Sequence, residues 1–215
     1  MRIRIRSATV FGDSGQALGP LSLELYPGLI GLIGPNGSGK SRLIKLLAHV
    51  VPINSGSIGY ELDGVSLSPF QARKESGYVP QEIAIYERFT VREYLAYIAG
   101  IKFLGSEEAD NTVAELGGFM EIAPLLDRKM GELSVGQQRL AMIAQSMIGS
   151  PKFLFLDEPF NNLDVRQRDR LLELLSVVSR QAIVLVSNHI VEEMSGYNQT
   201  IAMQDGIIAE ISPYV

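Results

Sequence analysis

A short apolar run, Leu29-Ile30-Gly31-Leu32-Ile33, leads directly into Gly34-Pro35-Asn36-Gly37-Ser38-Gly39-Lys40-Ser41. A helical pattern carried by Leu43, Ile44, Leu46 and Leu47 follows at once. Strand, glycine-rich loop and helix in this order, with the spacing GxxxxGK plus Ser, describe a phosphate-binding loop. Small residues let successive backbone N–H groups turn inward as an anion-binding nest. A helix starting near Gly39 adds the partial positive charge of its N-terminus. Lys40 is spaced to reach the β- and γ-phosphates of a nucleotide, and the Ser41 hydroxyl to ligate Mg²⁺. An ordinary tight turn explains such a match in roughly one chain of several hundred, and needs neither the strand before nor the helix after.

A loop of this kind requires an α/β sheet, and the rest of the chain supplies one. Phe153-Leu154-Phe155-Leu156 reads as a buried strand and runs straight into Asp157-Glu158-Pro159. The carboxyl ends of strands are where open α/β sheets bind ligands. Asp157 is therefore expected to hold Mg²⁺, and Glu158 to orient or deprotonate the water that attacks the γ-phosphate. Residues 182–186 form another apolar strand, with His189 just beyond it and able to donate to a γ-phosphate oxygen at the same edge. Further strands are expected at 57–60 and 77–79. Asp205-Gly206 between 200–203 and 207–211 is a hairpin signal.

Residues 86–148 differ in character. Thr90 with Glu93 three residues on is a capping box, and Tyr94, Leu95, Ile98 and Ile101 follow at helical spacing. A second helix is expected over 107–116, closed by Gly117-Gly118, and a third over 136–148. The reading is one domain over 1–215. Residues 1–85 and 149–215 form the α/β core, and residues 86–148 form an inserted helical subdomain. Another helix is expected at 165–178.

Composition narrows the partners. Lys and Arg number 19 against 24 Asp and Glu, a net charge of −5, and there is no basic stripe of the kind that tracks nucleic acid. No cysteine is present, which removes thiol chemistry and Cys-ligated zinc. No stretch reaches the roughly 18 apolar residues of a bilayer span. A cytoplasmic protein that meets a membrane through a partner is the expectation.

One further stretch is more specific. Leu133-Ser134-Val135-Gly136-Gln137-Gln138 resembles the LSGGQ signature of ATP-binding cassette (ABC) proteins, and the other elements stand in that family's order. Phe11 lies where the aromatic residue that stacks on adenine is found. Gln81 in Val79-Pro80-Gln81-Glu82 resembles the Q-loop glutamine, Asn161-Asn162-Leu163-Asp164 the D-loop, and His189 the switch histidine. Departures are Val135 for the first signature glycine, Arg42 for a common Thr, and Asn188 for a Thr before the histidine.

The resemblance implies a P-loop NTPase core of ABC type, α/β with an antiparallel β subdomain and an inserted α-helical subdomain. It implies ATP and Mg²⁺ as cofactors, with Lys40, Gln81, Glu158 and His189 catalytic and Ser41, Gln81 and Asp157 toward the metal. Nucleotide contacts would come from Phe11, Gly34, Pro35, Asn36, Gly37, Ser38, Gly39, Lys40, Ser41, Ser134, Gly136, Gln137 and Asp164. Ser134, with a free hydroxyl, and Gly136 at a helix start would bind the γ-phosphate held by a second, head-to-tail copy. A homodimer or related heterodimer is therefore expected, joined to an integral-membrane permease at the cytoplasmic face. Residues 82–89, with Ile83, Ile85, Tyr86 and Phe89, are the expected part of the permease groove. The Q-loop segment most resembles exporter subunits that serve small permeases. The alternative is a soluble ABC ATPase acting on DNA or ribosomes; the single cassette and the acidic balance weigh against it. A GTPase would be expected to carry Asn-Lys-x-Asp, which is absent.

Overall fold

A computed structural model describes residues 1–11, 17–188 and 196–212. Two sheets carry the chain. The first is antiparallel, in the order β2-β1-β4-β5, from β1 (Arg2–Phe11), β2 (Ala17–Leu25), β4 (Ser55–Leu62) and β5 (Val65–Leu67). The second has the order β10-β9-β3-β8-β7-β6, from β3 (Gly28–Ile33), β6 (Ser76–Val79), β7 (Phe153–Leu156), β8 (Ile183–Ser187), β9 (Gln199–Gln204) and β10 (Ile207–Ile211). Strands β9, β3, β8, β7 and β6 run parallel, and β10 closes the edge antiparallel to β9 through the Asp205-Gly206 turn.

The parallel sheet is covered on both faces, which is why its strands β3, β7 and β8 are nearly continuously apolar rather than alternating. Ile30, Leu32, Phe153, Phe155, Ile183 and Leu185 pack with Ile3, Ile5, Leu43, Ile44 and Leu47 on one side. That face receives α1 (Lys40–Leu47) and the antiparallel sheet. Leu29, Leu154, Leu156, Val184 and Val186 point to the other side. They meet α3 (Val91–Ile101), α5 (Val135–Met147) and α6 (Val165–Ser179) there. The alternating faces of each strand thus serve two separate cores.

Most sequence expectations differ from the structure by a residue or two at element ends. Two differences are larger. A short α2 (Pro69–Lys74) follows Ser68, whose hydroxyl accepts the Gln71 N–H in a capping box. Helix α4 (Ser106–Phe119) runs through Gly117-Gly118 instead of stopping there. Each glycine costs a helix about 1 kcal/mol against alanine. Gly117 has a tertiary reason: a Cβ there would lie 3.3 Å from Leu126 Cδ1, so the missing side chain lets the following turn fold back closely. Thr90 and Glu93 do form the expected capping box at α3. Between β6 and β7 the described residues form helices α3 to α5 and short 3₁₀ turns, with only an isolated bridge between Thr90 and Lys129.

Candidate functional site

The ends of β3, β6 and β7 bring Lys40, Ser41, Gln81, Asp157 and Glu158 to one edge of the parallel sheet. After β3 the chain turns through residues 34–39 into α1, and the loop's shape depends on Gly34. At φ +146 its backbone is unfavourable for other residues, and a Cβ would lie 2.2 Å from the Met203 carbonyl oxygen. The loop is therefore pressed against β9, with no room for a side chain on that side. Lys40, only 5% exposed, folds back along it. Its Nζ donates to the Gly34 and Pro35 carbonyls at 2.6 and 3.1 Å. Burial pushes the Lys40 ammonium below its ordinary pKa, opposed by the nearby Glu158 and Asp157.

A cleft of about 370 Å³ opens over this loop, lined by residues 36–42 with Ala17, Gln81, Glu158 and Gly206. Phe11 stands at the rim: it pairs with cleft-lining Ala17 across the β1–β2 register, and the residue is 66% exposed. Its position suits stacking on a flat ring. Its N–H is held by Asn54 Oδ1 at 2.8 Å.

Asp157 is fully buried at the end of β7. Its Oδ1 accepts from the Ser187 hydroxyl at 2.6 Å, while Oδ2 has no partner. The Ser38 hydroxyl is likewise buried without a partner. Uncompensated buried polar atoms are costly, and two of them beside a phosphate loop are what a charged ligand with a hydrated cation would satisfy. Among the described residues no cluster of three or more His, Asp or Glu forms a cation cage.

Glu158 is held at both ends. Its N–H donates to Ser187 Oγ at 2.8 Å, and its backbone sits at φ +48. Its Oε2 accepts from Gln81 Nε2 at 3.1 Å and from Asn161 Nδ2 at 2.7 Å. Gln81 itself is carried by a buried arginine: Arg139 of α5 donates to the Pro80 and Gln81 carbonyls at 3.0 and 2.8 Å. Burial lowers the Arg139 pKa, against the pull of Asp157 and Glu158.

The signature and D-loop residues do not line this cleft. Ser134 caps α5 and Asp164 caps α6, each in a reciprocal capping box with Gln137 and Gln167 respectively. The expectation of a free Ser134 hydroxyl is corrected: Oγ accepts the Gln137 N–H at 3.3 Å, and Gln137 Oε1 accepts the Ser134 N–H at 3.0 Å. The helix start needs that acceptor for its orphan N–H groups, and the hydroxyl proton is still there to donate. Gly136 is where α5 meets the D-loop, since a Cβ would lie 2.5 Å from the Asn162 carbonyl oxygen. His189 lies outside the described residues.

Sequence reasoning missed Ser187, Arg139 and Asn161. Ser187 and Arg139 act on residues 29 to 59 positions away, for which a single sequence carries no signal. Asn161 sits three residues from Glu158, inside a motif that was recognised.

Comparison with known proteins agrees with this geometry. Residues 18–161 match the family profile described as ABC transporter. The molybdate/tungstate import ATP-binding protein WtpC of Archaeoglobus fulgidus is 32% identical over 183 residues, 83% of this chain and 75% of that protein. The Nod factor export ATP-binding protein I of Burkholderia thailandensis is 36% identical over 175 residues, 80% of this chain. This chain spans 58% of that second relative's length. A solved structure described as the dimeric structure of MJ0796, a bacterial ABC transporter cassette, shares the fold with a TM-score of 0.87. It covers 98% of each chain at 21% identity.

Proposed function

The chain belongs to the ABC transporter family and is an ABC ATPase, and on that premise we propose that it powers a separate integral-membrane permease by binding and hydrolysing ATP. The observation that carries the reading is the single cleft onto which Lys40, Ser41, Gln81 and Glu158 open. Asp157 Oδ2 and the Ser41 hydroxyl would hold Mg²⁺, which when bound neutralises charge on the β- and γ-phosphates. Lys40 and the N–H groups at the start of α1 bind the phosphate chain. Gln81 and Glu158 face the γ end, where Glu158 takes the proton of the attacking water. Phe11 stacks on the adenine.

The second half of the reading is a head-to-tail dimer in which Ser134, Gly136, Gln137 and Asp164 complete the partner's site. Within one chain, Gly136 lets α5 lie directly against the D-loop, which keeps these two elements side by side. For the permease the candidate surface is the ring cluster of Tyr86, Phe89 and Tyr97, with centroids 5.4 to 6.1 Å apart, backed by the buried Tyr94. Tyr86 and Tyr97 are half exposed there, next to the Q-loop. No helix among the described residues is long and apolar enough to cross a membrane, so the span belongs to the permease in this reading. The two relatives named above carry import and export in their names. Of the two directions the Val79-Pro80-Gln81-Glu82 segment favours export.

Size-exclusion chromatography of Glu158→Gln with and without Mg-ATP tests the reading. We expect bound ATP, no sustained turnover and a shift from monomer to dimer. Wild-type-like turnover removes Glu158 from the base role, and bound ATP without a shift removes the dimer from the isolated chain.

A further inference from the structure

We propose that Asn161 is a positioning residue for the Glu158 carboxylate, a proposal that rests on the reading of Glu158 as the base. A carboxylate only accepts hydrogen bonds, so the Asn161 amide must present its NH₂ to it. The Nδ2–Oε2 distance of 2.7 Å is shorter than the 3.1 Å from Gln81 to the same oxygen. Both amides bond the same carboxylate oxygen, and by distance Asn161 is the tighter of the two ties. With both amides on Oε2, Oε1 accepts no hydrogen bond among the described residues. The side chain is thereby divided: one oxygen fixes it, the other is left to accept from water. A glutamate has three rotatable side-chain bonds, and a base must lie within hydrogen-bond reach of its proton to act.

The local backbone is built around this contact. The Asn161 N–H donates to the Glu158 carbonyl at 3.3 Å, closing a turn. Glu158 and Asn162 stand at φ +48 and +63 on either side of it. Such conformations persist where the surroundings over-determine them. Asn162 is also the residue whose carbonyl abuts Gly136. One peptide therefore separates the amide that holds the base from the backbone that touches the signature helix. Displacement of the D-loop by a second copy would reach the base through Asn161.

The test compares Asn161→Ala and Asn161→Asp, both checked for a native melting transition. Asp is isosteric and equally suited to a turn, but it offers no donor and adds a like charge. We expect Asn161→Ala to lower kcat about ten- to a hundredfold, the scale on which misplaced groups act. We expect Asn161→Asp to be at least as slow, with KM and ATP affinity unchanged in both. In a Glu158→Gln background, Asn161→Ala should add no further loss to the residual single-turnover rate. Asn161→Asp with wild-type kcat would overturn the proposal, because the turn alone would then suffice. So would a loss that persists in full without Glu158. If instead Glu158→Gln itself turns over normally, it is the base assignment that fails.

Discussion

Ser187→Ala should destabilise this protein by about 3 kcal/mol, and the figure follows from two bonds. The hydroxyl is fully buried, donates to Asp157 Oδ1 at 2.6 Å and accepts the Glu158 N–H at 2.8 Å. A hydrogen bond to an ionised group contributes about 1.5–3 kcal/mol, and a buried backbone N–H stripped of its acceptor costs about 1 more. Asp157 has nothing in reserve, since its Oδ2 is already unpartnered. In a chain of this size that loss lowers Tm by roughly 6–12 °C. Thermal and urea unfolding of Ser187→Ala, Asp157→Asn and the double variant give both the cost and the coupling between the residues. A Ser187→Ala loss under about 0.5 kcal/mol, or additive single effects, would falsify the argument, because the bonded pair must couple.

Gly136→Ala should lower both stability and turnover. Its Cβ would lie 2.5 Å from the Asn162 carbonyl oxygen, so α5 and the D-loop must part, an overpacking cost of about 1–3 kcal/mol; an unchanged melting temperature would show that the D-loop yields freely. Lys102 gives a pH prediction. It donates to the Ser76 and Ile148 carbonyls at 3.0 and 2.8 Å, and burial pushes it down to about 8 against the opposing charge of Glu75. An unfolded lysine titrates near 10.4. Between those values the unfolded chain holds more protons, so folding stability rises with pH across that window and stays constant below it. The stability of the wild type minus that of Lys102→Met should therefore climb by about 3 kcal/mol from pH 7.5 to 10.5, and a flat difference would place the ammonium in solvent.

What was legible in the sequence is what acts locally. The phosphate loop, the acid pair at the end of β7 and the capping box at Thr90 each lie within a few consecutive residues, so spacing alone exposes them. The apolar runs of β3, β7 and β8 gave the buried sheet, because strands covered on both faces cannot alternate. Apart from the local Asn161, the supports of the site were not legible, because each is a contact between distant parts of the chain. Ser187 joins β8 to the end of β7, and Arg139 joins α5 to the Q-loop. The same distinction explains the corrected Ser134. A helix start consumes nearby acceptors for its own N–H groups, so Ser134 and Asp164 are engaged within their own helices. Asp157 Oδ2 and Ser38 Oγ, in contrast, are left unpartnered at the end of β7 and in the phosphate loop. Other buried atoms, His49 Nε2, Tyr78 Oη and Gln199 Oε1 among them, also lack partners among the described residues, and what sets these two apart is their place beside the phosphate loop. At that place the missing bonds are ones that phosphate oxygens and a hydrated cation can make.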